Sequence, residues 1–327
     1  MTRPSDLPTA ADVADAATRL NGVAVRTPLI ANPVLDDIAA GRVWLKAECL
    51  QRTASFKFRG AFNRISRIPE ADRAAGVVAY SSGNHAQGIA EAARIAGLRA
   101  LIVMPDDAPS TKVARTRRSG AEIVFCDRWS EDRVAIANAI AARRGATLVP
   151  PFDDPAVVAG QGTVGLEILE ELAEIGDGPP AAVVVPCGGG GLTAGCALAF
   201  GATDARVIVA EPAGFDDTAR SVAAGRRLSV EGAPNSVCDA LLVPTPGELT
   251  FAVNRHRVAG GVAVTDEDVF AAMAFAFNEL RLVVEPGGAV ALAAVLAGQI
   301  DARDGHVVVI ASGGNVDPAM MQRALET

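Results

Sequence analysis

Lys57 lies between two phenylalanines in the segment Ser55-Phe56-Lys57-Phe58-Arg59-Gly60. Apolar surroundings disfavour a charged ammonium and lower its pKa. A neutral amine of this kind is the nucleophile that Schiff-base chemistry requires. The chain offers few competitors, because lysine occurs only at Lys46, Lys57 and Lys112. Lys46 falls on a predicted strand, on one face with Trp44 and Glu48, and reads as structural. Lys112 opens a helical stretch with Arg115 and Arg118 and reads as solvated.

Three further segments carry polar or glycine-rich chemistry. In Pro186-Cys187-Gly188-Gly189-Gly190-Gly191-Leu192-Thr193-Ala194, four successive glycines let backbone N–H groups approach an anion. A helix starting there adds a favourable dipole. The loop lacks the Gly-Lys-Ser/Thr ending of a nucleotide P-loop. It does fit the loose dinucleotide pattern Gly189-x-Gly191-x-x-Ala194, with Glu211 ending the next predicted strand, so a nicotinamide-dependent oxidoreductase stays open on this segment alone. Ser81-Ser82-Gly83-Asn84-His85 offers hydroxyls, an amide and N–H groups at a helix start. It suits a carboxylate and equally an ordinary N-cap. Ser312-Gly313-Gly314-Asn315 is a third turn of the same kind.

The elements that must position these groups alternate between β-branched runs and Ala-rich helical stretches. Predicted strands span 43–48, 76–80, 100–104, 122–126, 182–186, 206–211 and 306–311. Predicted helices span 85–96, 111–119, 130–143 and 162–175. Several strands are apolar without alternation, as expected where helices cover both faces of a parallel sheet. The class is α/β, with open, largely parallel sheets. Each of the three turns follows a strand and precedes a helix. Ligands of such sheets bind outside the carboxyl ends of the strands, so the turns can share one cleft.

Composition narrows the function. Half the residues are hydrophobic and only 4% are aromatic, so the core is built from Ala, Val, Leu and Ile. A net charge of −8 argues against nucleic-acid and anionic-membrane partners. The five cysteines are dispersed, form no zinc spacing and read as buried thiols. No apolar run is long enough to span a bilayer, and the N-terminus shows no signal-peptide pattern. A soluble cytoplasmic protein is expected.

Taken together and in order, Ser-Phe-Lys-Phe-Arg-Gly-Ala, Ser-Ser-Gly-Asn-His, Gly-Gly-Gly-Gly-Leu and Ser-Gly-Gly-Asn resemble the fold-type II pyridoxal 5′-phosphate (PLP) enzymes of the threonine/serine dehydratase and serine racemase group. Pro151-Phe152-Asp153-Asp154-Pro155, Ala159-Gly160-Gln161-Gly162-Thr163 and Glu285-Pro286-Gly287-Gly288-Ala289 extend the likeness over nearly the whole chain. The resemblance implies two open parallel-sheet domains like those of the tryptophan synthase β chain. Residues 1–66 and 151–327 would form the larger, PLP-binding domain, and residues 67–150 the smaller, substrate-binding one.

The resemblance also implies roles. Lys57 would hold PLP as a Schiff base and Phe56 would pack on its ring. Asn84 would bond the ring hydroxyl. Gly188, Gly189, Gly190, Gly191 and Leu192 would bind the phosphate, and Ser312 would face the pyridine nitrogen. Ser82, Gly83, Asn84 and His85 would grip the substrate carboxylate. Glu211, the carbonyl of Phe215 and Asp217 would form a site for Mg2+, Mn2+ or Ca2+.

The implied reaction is β-elimination from L-threonine, L-serine or a related 3-hydroxy amino acid, giving a 2-oxo acid and ammonia in a homodimeric enzyme. Ser82 matches the racemases' second acid/base group, so racemisation is an alternative outcome. Ser236-Val237-Cys238-Asp239-Ala240-Leu241 departs from the family pattern, with Ala240 where glycine is expected. In the family this loop lies near the substrate side chain, so 3-hydroxyaspartate is an alternative substrate. The chain ends about a dozen residues after Asn315. No C-terminal regulatory domain, and no feedback inhibition by isoleucine, is therefore expected.

Overall fold

A computed structural model describes residues 7–327 except Ser82, Pro109 and Arg128. Its strands are β1 (Leu29–Ala31), β2 (Val43–Lys46), β3 (Val77–Tyr80), β4 (Ala100–Pro105), β5 (Glu122–Cys126), β6 (Thr147–Leu148), β7 (Ala182–Pro186), β8 (Arg206–Pro212), β9 (Val258–Val264) and β10 (Val307–Ile310). They form two sheets, ordered β1-β2-β10-β7-β8-β9 and β5-β4-β3-β6. Among the strand pairs of the described residues, only β1–β2 is antiparallel.

All seven predicted strands are present. Val-Val-Val-Ile of β10 and Ala-Val-Val-Val-Pro of β7 are buried throughout, which explains their unbroken apolar character. Each fully buried Val, Leu or Ile contributes about 1.5–3 kcal/mol. Three short or glycine-containing strands escaped the sequence reading: β1, β6 and β9, the last with Gly260-Gly261 inside it.

The helix predicted over 162–175 begins earlier, at Pro155, and runs to Glu174. Asp154 caps it by accepting the amides of Ala156 (2.8 Å) and Val157 (2.9 Å). Pro155 fits the first turn, where its missing N–H costs nothing. This helix crosses the Lys57–Ser66 helix at a glycine contact. A Cβ on Gly160 would stand 2.6 Å from the Gly60 Cα, so neither position tolerates a side chain. Gln161 Oε1 accepts the Gly60 amide at 3.0 Å and locks the crossing.

The start of the Lys57–Ser66 helix is fixed by the turn after β10. Ser55 bridges Gly313, the Phe56 amide donates to the Ser312 carbonyl (3.1 Å), and the Gly314 amide donates to Ala54 (2.9 Å). Thr53 and Ala54 before it adopt left-handed backbone, φ 58° and 55°. That conformation costs about 1–2 kcal/mol per non-glycine residue. The Asn315 amide, donating to the Thr53 carbonyl at 2.7 Å, helps hold it.

Candidate active site

The turns at Ser81–His85, Gly188–Gly191 and Ser312–Asn315 meet at one cavity of about 480 Å³, which Phe56 and Lys57 also line. Residues of both sheets' connecting loops form its walls.

Lys57 is the first residue of its helix, and its Nζ donates to the Pro151 carbonyl at 2.8 Å. Burial pushes its pKa down to about 8, so a useful fraction of the amine is neutral near physiological pH. Its nitrogen stands 5.2 Å from the centroid of the Phe56 ring. Lys46 is the structural lysine the sequence suggested: fully buried, it donates to the Thr27 carbonyl, Glu167 and Glu171. Lys112 corrects the sequence reading. It is buried rather than solvated, lines the cavity and pairs with Asp239.

The glycine loop is built to present donors. The first hydrogen bond of the Gly191–Ala199 helix runs from the Ala194 amide to the Gly190 carbonyl at 2.8 Å. The amides of Gly191, Leu192 and Thr193 thus have no acceptor within the helix. Behind the loop, Thr250 Oγ1 donates to the Gly189 carbonyl (2.7 Å) and Asn254 Nδ2 to the Gly190 carbonyl (3.3 Å). In a trans peptide the next N–H points opposite to the carbonyl. The Gly190 and Gly191 amides therefore face away from Thr250 and Asn254. Gly190 has φ +86°, and a Cβ there would lie 2.8 Å from Asn254 Nδ2. Unclaimed amides at a helix N-terminus make a cradle for an anion of phosphate size.

Gly83, Asn84 and His85 line the cavity; Ser82 lies outside the described residues. The Asn84–Ala96 helix presses onto the anchor residue, since a Cβ on Gly88 would meet the Lys57 carbonyl carbon at 3.2 Å. His85 is buried, with Nε2 2.9 Å from the Val149 carbonyl. Burial, then the nearby Lys57 charge, pushes its pKa down to about 3. Its imidazole is neutral, so any anion binding here rests on backbone amides rather than on a histidine cation. Asn84 donates to Glu285 and accepts from Asn315 (2.8 Å). Ser312 borders the same cavity.

Sequence reasoning missed Lys112, Arg133 and Glu285 as cavity residues, although Glu285 stood inside a quoted motif; Asp239 belongs to the Ser236–Leu241 loop that the resemblance placed near the substrate side chain, and it lines the cavity. Burial, repulsion from Asp239 and the Asn84 contact set Glu285, with burial dominating and raising it to about 7. The loop holding Asp239 packs on the glycine turn: a Cβ on Gly188 would meet the Leu241 Cα at 3.1 Å.

Glu211, Phe215 and Asp217 lie apart from this cavity, at the end of β8 and the start of the Asp217–Ala224 helix. Glu211 accepts the amides of Thr218 (3.1 Å) and Ala219 (2.8 Å). It thus caps a helix and lies outside the cavity that the glycine loop lines, so it is not placed to hold the ribose of a dinucleotide bound there. Asp217 Oδ2 is buried without a hydrogen-bond partner among the described residues.

Comparison with known proteins agrees with this geometry. Residues 21–313 match the family model described as "Pyridoxal-phosphate dependent enzyme". An L-threo-3-hydroxyaspartate ammonia-lyase of Pseudomonas sp is 45% identical over 308 residues, covering 94% of this chain and 95% of that one. The crystal structure of a threonine deaminase from T.th. superimposes with TM-score 0.88 and 41% identity, covering 95% of this chain and 99% of that one. Maize serine racemase gives TM-score 0.90 and 34% identity, covering 98% and 97%. With the fold, the cavity and the sequence match in agreement, the chain belongs to the pyridoxal-phosphate dependent enzymes of fold type II, among the ammonia-lyases and serine racemases.

Proposed function

We propose that this chain is a PLP-dependent ammonia-lyase that converts L-threonine, L-serine or a related 3-hydroxy amino acid to a 2-oxo acid and ammonia by β-elimination. The observation that carries this reading is a lysine with a lowered pKa in one cavity with an anion cradle. The fit to the cofactor rests on the loop Gly188 to Leu192, whose amides would bind the phosphate; Thr250 and Asn254, holding the Gly189 and Gly190 carbonyls, turn the Gly190 and Gly191 amides away from themselves. Lys57 would anchor the group, Phe56 would pack on its ring, Asn84 would meet its ring hydroxyl and Ser312 its pyridine nitrogen.

When bound, PLP supplies an electron sink for the pair left on the substrate's Cα. The segment from Ser82 to His85 would hold the substrate carboxylate, with the Asn84 and His85 amides at the helix start as its donors and the Gly83 amide, which donates to Ser81 Oγ at 3.1 Å, turning to the substrate on binding. The displaced Lys57 amine takes the Cα proton, and its fixed position makes that transfer efficient. A neutral Ser312 beside the pyridine nitrogen favours prompt loss of the β-hydroxyl over return of the proton. The released enamine hydrolyses to the 2-oxo acid and ammonia. Ser82, which matches the racemases' second acid/base group, would give the racemisation outcome.

A substrate with an acidic side chain has a specific observation in its favour: Lys112 and Arg133 line the cavity, with Lys112 held beside Gly83 and Asp239. A second carboxylate, as in 3-hydroxyaspartate, would find cationic partners there. The Pseudomonas relative bears that substrate in its name.

We assign Glu211, the Phe215 carbonyl and Asp217 to a bivalent cation, Mg2+, Mn2+ or Ca2+; the unpartnered Asp217 oxygen supports this. The division into residues 1–66 with 151–327 and residues 67–150 is supported by the four-stranded sheet, whose strands all fall within 77–148. A cytoplasmic homodimer is part of the same proposal. Among the described residues, no helix is long and apolar enough to cross a membrane.

The test is a spectrum followed by a product assay. The purified protein should show a visible Schiff-base band, and borohydride should fix the cofactor on Lys57. L-threonine, L-serine and L-threo-3-hydroxyaspartate should then be compared by 2-oxo acid and ammonia release, with chiral analysis of the serine. A colourless protein unlabelled by borohydride sinks the reading; D-serine outpacing pyruvate converts it to a racemase.

A further inference from the structure

Behind Asn84 runs a chain of side-chain hydrogen bonds whose direction is fixed at both ends. Arg115 Nη1 donates to Asn315 Oδ1, Asn315 Nδ2 donates to the Thr53 carbonyl (2.7 Å) and to Asn84 Oδ1 (2.8 Å), and Asn84 Nδ2 donates to Glu285 Oε1. The oxygen and nitrogen of an asparagine amide are assigned from their partners. Here the partners leave no choice. A guanidinium only donates and a backbone carbonyl only accepts. Arg115 on one side and Thr53 on the other therefore hold the Asn315 amide in a single orientation. Asn315 then offers N–H to Asn84, so the Asn84 oxygen is consumed as an acceptor. Its nitrogen is turned to Glu285, with a second hydrogen left over. Asn84, Asn315 and Glu285 are all nearly fully buried, and Asn84 and Glu285 line the cavity. Gly313 keeps room for the pair, since a Cβ there would collide with Glu285 Oε1.

We infer that Arg115 and Asn315 are positioning residues that lock Asn84 with an N–H, never a C=O, toward the group in the cavity. This rests on the reading that PLP sits with its ring hydroxyl at Asn84. A hydrogen-bond donor favours the ionised ring oxygen over the neutral hydroxyl. Arg115 belongs to the Ser110–Arg118 helix, whereas Asn315 and Glu285 flank the six-stranded sheet. The lock is therefore complete only when that helix is docked. Thr111, one turn earlier, reinforces the docking by donating to Asp317 at 2.8 Å.

The test reads the cofactor's own absorption, not turnover. Asn315→Asp replaces the donor with an acceptor while keeping the shape. It should move the bound cofactor from the visible band toward the near-ultraviolet band of the neutral hydroxyl. The apparent pKa of that change should rise by about one unit, the tenfold shift expected from losing one hydrogen bond to an ionised group. Arg115→Met should give a smaller shift in the same direction, and Arg115→Lys, which retains a donor, should restore the wild-type spectrum. If Asn315→Asp fails to fold, the Arg115 pair decides. Fully loaded variants with the wild-type band ratio at every pH overturn the inference. A wild-type protein with no visible band overturns the PLP reading instead, so the two failures are distinct.

Discussion

Lys57 and Arg59 stand two residues apart on one helical turn, yet they live in opposite electrostatic regions. Arg59 is fully buried and surrounded by carboxylates. Its guanidinium makes paired contacts with Glu48 (2.8 and 2.7 Å) and Glu167 (2.6 and 2.7 Å). Burial alone would lower its pKa, but Glu48 and Glu167 hold it above the ordinary value. Glu167 is in turn kept below its ordinary value, because Arg59 and Lys46 outweigh its burial. Lys57 faces the cavity with an uncharged carbonyl as its acceptor, and burial goes unopposed. The comparison separates two uses of a desolvated cation. Where carboxylates match it, the charge is permanent and the residue is an anchor. Where they are withheld, the proton becomes exchangeable, as the proposed role of Lys57 requires.

Exchanging the two roles should give the largest effects. Lys57→Ala should lower elimination on the order of 10³-fold, while the folded apoprotein loses little in urea unfolding. Arg59→Met should do the reverse at the level of the fold. It leaves Glu48 buried without its cation and Glu167 with Lys46 alone, and should cost about 3–5 kcal/mol. A Lys57→Ala protein that unfolds as readily as Arg59→Met would erase the distinction. A smaller effect is expected at the anion cradle. Gly190→Ala forces a left-handed alanine against Asn254, at about 1–2 kcal/mol for the backbone. PLP affinity should fall roughly tenfold in a spectral titration, with Arg59 and its cluster undisturbed.

The smallest effect is on pH dependence. The neutral Lys57 amine is the attacking form, so the rate of PLP loading into apoprotein should climb with pH and level off above about 8. The same shift bears on stability. Between about 8 and the ordinary lysine value of 10.5, the folded state holds Lys57 neutral while the unfolded chain keeps its proton. Unfolding then takes up a proton, so apoprotein stability rises with pH across that window. Lys57→Met should flatten this rise. Loading that keeps climbing about tenfold per pH unit beyond pH 9, with no levelling near 8, would mean the amine is not held at a lowered pKa.

Much of this site is legible in the sequence because its parts are local. Glycine runs, a Ser-Gly-Asn-His turn and a lysine between phenylalanines each announce a capability within a few residues, and strand-to-helix punctuation places them on one edge. What stayed hidden depends on partners far away in the chain. Glu167 meets Arg59 across 108 positions, and no local pattern reveals it. Lys112 looked solvated because Arg115 and Arg118 follow it at helical spacing. The docking of that helix against Asp239 and Asn315 is a tertiary event. Ser82 remains an expectation from sequence, since it falls outside the described residues.

One feature of the larger sheet bears on how the molecule comes into being. β10 is the last strand in the chain but occupies an interior place, between β2 and β7. The turn that follows it pins Ser55 and Phe56 beside Lys57. During synthesis, β2 and β7 emerge from the ribosome long before the strand that must lie between them. Pairing so distant in sequence is slow to form. A nascent chain therefore carries Lys57 for most of its synthesis without the scaffold that arms it. The contacts that fix the start of the Lys57 helix form only when the C-terminal strand slots in, so on the proposed role of Lys57 a product that stops before β10 should be inert rather than partly active.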